Sequence, residues 1–131
     1  REIFREQVID PFITDCTQGL TPTPCVTCNR FCKIPVLCQA ADDLGCEKIA
    51  TGHYARVVED TALHRFALKR ALDEAKDQTY MLSLLTQDQL SRLVLPLGGY
   101  TKQEVRQYAV DQGIPVAKRP ESQDLCFVAG D

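Results

Sequence analysis

The stretch from Thr21 to Lys33, TPTPCVTCNRFCK, constrains the fold most, because two prolines directly precede three closely spaced cysteines. Pro22 and Pro24 lack an amide proton, and each pushes the residue before it toward extended geometry. Apolar side chains then recur every three or four positions, which predicts a helix over residues 29–44 that ends at Gly45. The sequence therefore predicts a stiff, extended approach to a helix whose N-terminus lies at the cysteines.

Seven cysteines are a high and odd number for a chain of 131 residues with nothing secretory about it. Where thiols stay reduced, such a cluster indicates catalysis, metal binding or persulfide chemistry rather than a disulfide framework. Cys25 and Cys28 lie just before or within the predicted helix N-terminus, where backbone N–H groups and the helix dipole lower a thiol pKa. Zinc binding and thiol redox chemistry remain open, although the chain has a single CxxC and two histidines.

The overall charge gives no general attraction for nucleic acid. Fifteen basic and 18 acidic residues give a net charge of -3, so any contact with nucleic acid must be local. No stretch approaches the ~18 apolar residues of a membrane helix. The chain starts at Arg1 rather than Met and stops at Asp131 just after an apolar run, so we expect a soluble, internal piece of a longer protein.

Helices alternate with short apolar strands along the chain, which predicts an α/β fold. Residues 1–20 read as an amphipathic helix in which Pro11 predicts a bend or break, as Pro35 predicts a helix start or kink further on. We predict strands at residues 48–53, 54–58, 63–68 and 125–128 and a strand or extended piece at 114–117. The second and third strands would form a hairpin, and the strand at 125–128 carries Cys126. The T-K-Q-E run from Thr101 predicts a capped helix.

Two further features predict ligand contacts. Gly52 ends a predicted strand, at the edge where ligands bind to α/β sheets, and a glycine there lets a nucleotide approach the backbone closely. The polar trio Lys76, Asp77 and Gln78 stands before a helical run, which suits phosphate or sugar contacts. Asp77 acting only as a helix N-cap is an equally good interpretation.

Five motifs, in this order and at these separations, closely resemble the tRNA-specific 2-thiouridylases (the MnmA/TrmU family): PCVTCNRFCK, LGCEKIATGHYAR, KDQTYML, LPLGGYTKQEVR and ESQDLCFV. The resemblance covers essentially the whole chain, but the glycine-rich PP-loop and the C-terminal β-barrel of that family have no counterpart in it. It implies that residues 1–80 are the C-terminal part of a Rossmann-like adenine nucleotide α-hydrolase (PP-loop ATPase) domain. Residues 81–131 would then be the junction to a small central domain, including the strand with the second catalytic cysteine.

The resemblance also implies an activity, that of a tRNA-uridine 2-sulfurtransferase. Such enzymes use ATP and Mg²⁺ to adenylate the C2 oxygen of the wobble uridine in tRNA, and an enzyme-borne sulfur then displaces AMP. Matched residue by residue, Cys28 is the nucleophile, Cys126 carries the persulfide, and the two cycle through a Cys28–Cys126 disulfide. Gly52 matches an ATP contact, and the positions that match tRNA contacts are Thr23, Pro24, Cys25, His53, Lys76, Asp77 and Gln78.

Cys25 occupies a position where the family has Asp or Cys, and this leaves a second scheme open. Cys25, Cys28 and Cys126 could ligate a 4Fe-4S cluster that carries the sulfur. The resemblance also implies a sulfur-donor protein as a partner, either a cysteine desulfurase or a relay. It further implies that the enzyme is a monomer and is located in the cytoplasm. A metal-binding or thiol redox module is the alternative outside this family.

Overall fold

A computed structural model describes residues 2–117, 119 and 125–128. Two long helices come first. The N-terminal helix comprises Glu2–Phe4, Arg5–Ile9 and Asp10–Thr17, and the cysteine helix comprises Pro24–Cys28, Asn29–Lys33 and Ile34–Asp43. Later α-helices span Gln87–Arg92 and Lys102–Asp111, and 3₁₀ turns span Glu74–Lys76, Thr79–Leu82 and Pro96–Gly99.

Each long helix contains a π-helical segment that ends two residues before a proline. In the cysteine helix, the Ile34 amide bonds to the carbonyl of Asn29, five residues back rather than four. Pro11 and Pro35 cannot donate a backbone hydrogen bond, and in a regular helix each ring would clash with the carbonyl four residues back. The wider π turns relieve that clash, so both helices continue past prolines where the sequence predicted a bend, a break or a start.

The described residues contain strands β1 (Ile49–Ala50), β2 (Ala55–Asp60), β3 (Arg65–Arg70) and β4 (Leu93–Val94). β1 pairs with β4 in parallel, and β2 pairs with β3 as an antiparallel hairpin. The predicted hairpin is confirmed, with its second strand placed two residues further along the chain. Parallel pairing of strands separated by helices is the arrangement of an α/β fold, as predicted.

Two predicted strands are wrong. Residues 114–117 form a turn after the Lys102–Asp111 helix, and in residues 125–128 Cys126 and Phe127 lie in a turn. An apolar run becomes a strand only where a neighbouring strand can satisfy its backbone groups. In 125–128 the apolar side chain of Phe127 instead packs against the rings of Phe4 and Phe12.

One buried cluster joins the two sides of the predicted domain boundary at residue 80. Its members come from the cysteine helix, β1, β2, the turn at Thr79–Leu82 and β4: Ile34, Ala41, Ile49, Ala55, Leu82 and Leu93. The 3₁₀ turn itself runs across the boundary. The division into residues 1–80 and 81–131 therefore stays a prediction, and the packing that positions the site is continuous across it.

Helix ends follow the sequence signals closely. The cysteine helix and the Lys102–Asp111 helix are followed by Gly45 and Gly113 with φ of 68° and 66°, the left-handed conformation that glycine adopts without strain. Thr101 caps its helix in a reciprocal box with Glu104, as predicted. In the part of the chain that the structure describes, no helix has the length and apolarity needed to cross a membrane.

Candidate active site

A cavity of about 710 Å³ lies between the start of the cysteine helix, the loop after β1 and the turns around residues 75–81. Its wall contains most of the residues that the sequence assigned to nucleotide or tRNA contact: Thr23, Pro24, Cys25, Gly52, Lys76, Asp77 and Gln78. Tyr54, Met81, Lys102 and Leu125 are also part of the wall. Three stretches that are far apart in sequence therefore meet at one concave surface, which is the usual form of a binding site.

The two prolines give the cavity its first wall. Thr23 is non-helical, with φ of -110° and ψ of 80°, and Pro24 takes the first helical position, where a missing amide proton costs no intrahelical hydrogen bond. Cys25 follows in the first helical turn and faces the cavity, half-buried. Cys28 ends this short α-helical stretch, is also half-buried and does not line the cavity.

The thiol of Cys28 is close to three groups that shift its pKa. Burial raises the pKa of Cys28, and the neighbouring thiols of Cys32 and Cys126 raise it further. A hydrogen bond from the Lys33 amide and the Lys33 ammonium act in the opposite direction but do not outweigh the burial. The prediction that the helix N-terminus lowers this pKa is wrong, because the dipole acts within the first turn and Cys28 is the fifth residue of the helix.

Cys126, at the other end of the chain, lies close enough to Cys28 for the two thiols to interact electrostatically. The periodicity of the sequence gave no indication of this interaction. Cys126 is exposed, and its neighbour Leu125 lines the cavity. The structure thus places the two cysteines singled out by the sequence within electrostatic range of each other, with Cys32 as a third thiol near Cys28.

His53 is buried behind the cavity wall, and it has polar contacts on both ring nitrogens. Its Nδ1 lies 2.8 Å from Thr51 Oγ1, and its Nε2 lies 3.5 Å from Asn29 Nδ2. Asn29 Nδ2 also donates to the Met81 carbonyl at 3.1 Å, so this nitrogen is a donor and His53 Nε2 is an acceptor. Burial, aided by the charge of Lys33, lowers the pKa of His53 to about 4. The histidine is therefore neutral, with its proton on Nδ1.

Asn29 is a site residue that the sequence reasoning missed. It directly follows Cys28, is only 4% exposed, and ties the cysteine helix both to the cavity wall at Met81 and to the loop after β1 through His53. A polar residue that follows a candidate nucleophile on a predicted helix was the available signal. Buried side-chain amides in folded proteins are generally hydrogen-bonded. Because the partners of Asn29 lie on other segments, its hydrogen bonds fix the orientation of the helix at Cys28.

The neutral, buried state of His53 predicts a pH-dependent loss of stability. Its pKa in the folded protein lies below its value of about 6.5 in the unfolded chain, so the folded state binds fewer protons. The stabilisation is complete above about pH 6.5 and is lost as the pH falls toward 4. Urea denaturation of the natural full-length protein should show a loss of roughly 2 kcal/mol between pH 7.5 and 5 that His53→Gln removes.

The other histidine supplies the control for this measurement. His64 is exposed in the turn between β2 and β3, and its positive φ of 48° is one that asparagine tolerates. His64→Asn should keep the parental pH dependence. Equal slopes in the parental protein and His53→Gln would show that His53 is not the group responsible.

Asp77 and Gln78 build the far wall of the cavity through their own hydrogen bonds. The Asp77 carboxylate accepts from the Ala71 amide at 2.8 Å and from the Thr79 hydroxyl at 2.5 Å. Although partial burial would raise it, these hydrogen bonds hold the pKa of Asp77 below its usual value. Gln78 Oε1 accepts from the Tyr54 amide at 3.0 Å, and the Gln78 amide donates to the Tyr54 carbonyl. The Asp77 carboxylate thus stabilises the turn through local hydrogen bonds, a structural role similar to the predicted N-cap.

Two lysines line the same cavity. Lys76 stands in the turn before Asp77, and the ammonium of Lys102 lies 5.5 Å from the centre of the Tyr54 ring. The Lys102 backbone amide is held by Asp73 at 2.9 Å, which fixes the helix start at the cavity rim. The Asp77 carboxylate lines this cavity too, so its wall carries charges of both signs.

The iron–sulfur scheme finds no support in the described residues. Among residues 2–117, 119 and 125–128, no group of three or more Cys, His, Asp or Glu side chains is arranged to hold a metal ion. Cys25 and Cys28 are neighbours on one helix, but Cys25 faces the cavity whereas Cys28 interacts with Cys32 and Cys126.

Comparisons with known proteins agree on one family. The family model for the tRNA methyl transferase HUP domain matches residues 1–130. A protein of Desulforamulus reducens called tRNA-specific 2-thiouridylase MnmA is 48% identical over 98% of this chain and 35% of its own length. Proteins of the same name from Chloroflexus aurantiacus and Clostridioides difficile are 54% and 44% identical over 95% and 98% of this chain, covering 34% and 36% of their own lengths. The chain spans about a third of the length of these curated relatives.

Proposed function

Because the chain belongs to the family of the tRNA methyl transferase HUP domain, a Rossmann-like adenine nucleotide hydrolase fold, we propose that it forms the sulfur-transfer part of a tRNA 2-thiouridylase. The family description speaks of methyl transfer, whereas the relatives are named for thiolation. The observation that supports the proposal is that Cys28 and Cys126 interact electrostatically, with Cys25 and Leu125 of the same two segments in the cavity wall. Two thiols are what the transfer of a persulfide sulfur requires.

The proposed reaction couples adenylation of the uridine to the release of a sulfane sulfur from Cys126. ATP transfers AMP to the C2 oxygen of the wobble uridine and releases pyrophosphate. Cys126 carries a sulfane sulfur as Cys–S–SH, and the Cys28 thiolate attacks the Sγ of Cys126. The Cys28–Cys126 disulfide forms, the terminal sulfur leaves as hydrosulfide, and this hydrosulfide displaces AMP from C2. A dithiol reductant then returns both cysteines to thiols.

The surroundings of Cys28 suit a nucleophile that must be kept inactive until needed. Burial raises its pKa, so little thiolate is present in the resting site. The Lys33 ammonium and amide are placed to stabilise the thiolate when a base removes the proton. Asn29 and neutral His53 hold the helix in place without adding a charge beside the thiol.

The cavity is the proposed binding site for the nucleotide and the target base. Gly52 lines the cavity, and the absence of a side chain there would let the nucleotide approach the backbone. Thr23, Pro24 and Cys25 would contact the target base, and Lys76 the tRNA backbone, with Asp77 and Gln78 shaping the wall. His53, the remaining residue proposed for tRNA contact, is buried and lies behind this wall. We further propose Mg²⁺ with the ATP, a cysteine desulfurase or sulfur relay as donor, a monomeric state and a cytoplasmic location.

The experiment uses the natural full-length protein with unmodified tRNA, ATP, Mg²⁺ and a persulfide donor. Nucleoside mass spectrometry should find oxygen replaced by sulfur in the wobble uridine, dependent on ATP. A methylated uridine, or an unmodified one, would contradict the proposal. Iron and sulfide analysis after anaerobic purification decides the remaining alternative, since about three to four irons per chain, lost on Cys25→Ser, would favour the cluster scheme.

A further inference from the structure

An aromatic side chain anchors the described segment that carries Cys126. The Phe127 ring meets Phe4 edge-on at 5.8 Å between centroids and Phe12 edge-on at 5.3 Å, with interplanar angles of 70° and 78°. Edge-to-face pairs at these separations are the favourable geometry for aromatic rings. Cys126 itself is exposed; the ring of its neighbour attaches this turn to the N-terminal helix, and Leu125 on the other side lines the cavity.

The same N-terminal helix also supports the other cysteine. Val8 lies between Phe4 and Phe12 along the helix and is 2% exposed, and the Arg5–Ile9 segment contacts the Pro24–Cys28 segment. One helix therefore packs against the stretch that ends in Cys28 and holds the ring next to Cys126. The two cysteines meet because both of their segments use this helix as a common support.

We propose that Phe127 is a positioning residue whose ring, seated between Phe4 and Phe12, holds the Cys126 thiol beside the Cys28 thiol for disulfide closure. The idea rests on the proposed function. A disulfide forms only when the two Cβ atoms come within about 4.5 Å of each other, so a thiol in an exposed turn needs an anchor of this kind. Removing the ring lowers the effective concentration of one thiol at the other.

The measurement is the equilibrium of the Cys28–Cys126 disulfide against defined glutathione buffers in the natural full-length protein, with the peptides identified by mass spectrometry. Phe127→Ala should lower the effective concentration of the pair by roughly tenfold or more. Phe127→Tyr keeps the edge-to-face contacts and should stay within about twofold of the parental value. Val128→Ala changes the adjacent, exposed side chain and should have no effect.

A merely structural role for Phe127 would lower the melting temperature without a selective change in this equilibrium. An unchanged effective concentration in Phe127→Ala would overturn the proposal. Should that variant fail to fold, Phe4→Leu removes one of the two edge contacts, and an unchanged value there would overturn it equally. The equilibrium is read without tRNA or ATP, so a parental protein that forms the disulfide but does not thiolate tRNA would refute the proposed function alone.

Discussion

Replacing Cys28 with Ser in the natural full-length protein is expected to abolish tRNA thiolation, by roughly a thousandfold or more, while pyrophosphate release from ATP continues. A serine hydroxyl ionises far less readily than a thiol and cannot form the disulfide that releases the sulfane sulfur. In the proposed reaction, adenylation precedes this step and does not use the thiol. Thiolated uridine and pyrophosphate are therefore measured on the same reaction.

Cys126→Ser should have the same phenotype, because it removes the atom that carries the sulfur. Cys16→Ser is the matched control, since Cys16 is an exposed thiol on the N-terminal helix and lies outside the cavity wall. It should thiolate tRNA at the parental rate. Parental thiolation by Cys126→Ser would show that the persulfide assignment is wrong.

Gly98→Ala is expected to cost roughly 3 kcal/mol or more of folding stability, the largest loss that we predict for a single methyl group. A Cβ on Gly98 would lie 1.8 Å from the Ala55 carbonyl oxygen and 2.6 Å from its carbon. Ala55 is fully buried at the start of β2, so its backbone cannot retreat without disturbing the core cluster. The hydrogen bond from the Leu72 amide to the Gly98 carbonyl, at 2.9 Å, would be strained as well.

The neighbouring glycine offers the control. A Cβ on Gly99 would meet nothing within 4 Å, and Gly99 does not have a positive φ. Gly99→Ala should therefore change the free energy of unfolding by no more than about 0.5 kcal/mol in urea denaturation. Equal stabilities of the two variants would mean that the 3₁₀ turn does not press against β2 as described.

Local signals in the sequence predicted the two long helices, the Lys102–Asp111 helix and the hairpin, whereas the helix Gln87–Arg92 was missed and the helical run predicted from Tyr80 is a short 3₁₀ turn. The capping box at Thr101 and the glycines after two helices act within a few residues, so their effect can be read without the fold. The sequence also selected three stretches that meet at one cavity, around Cys25, Gly52 and Asp77. Their functional roles came from the resemblance to a family and remain proposals.

Features that depend on tertiary contact could not be predicted. The parallel pair β1 and β4 consists of two residues on each side, too short for any periodicity. The raised pKa of Cys28 and the lowered pKa of His53 are set mainly by burial, which only the folded chain determines. Phe127 lies in an apolar run that suggested a strand, but its partners are two rings at the other end of the chain.

The central claim is that Cys28 and Cys126 act as one thiol pair in sulfur transfer, and a single-turnover reaction tests it most directly. The natural full-length protein, loaded with persulfide and freed of reductant, is mixed with ATP and unmodified tRNA and then digested for mass spectrometry. We predict one Cys28–Cys126 disulfide for each sulfur that enters the wobble uridine. Thiolated tRNA recovered together with both cysteines as free thiols would contradict the account.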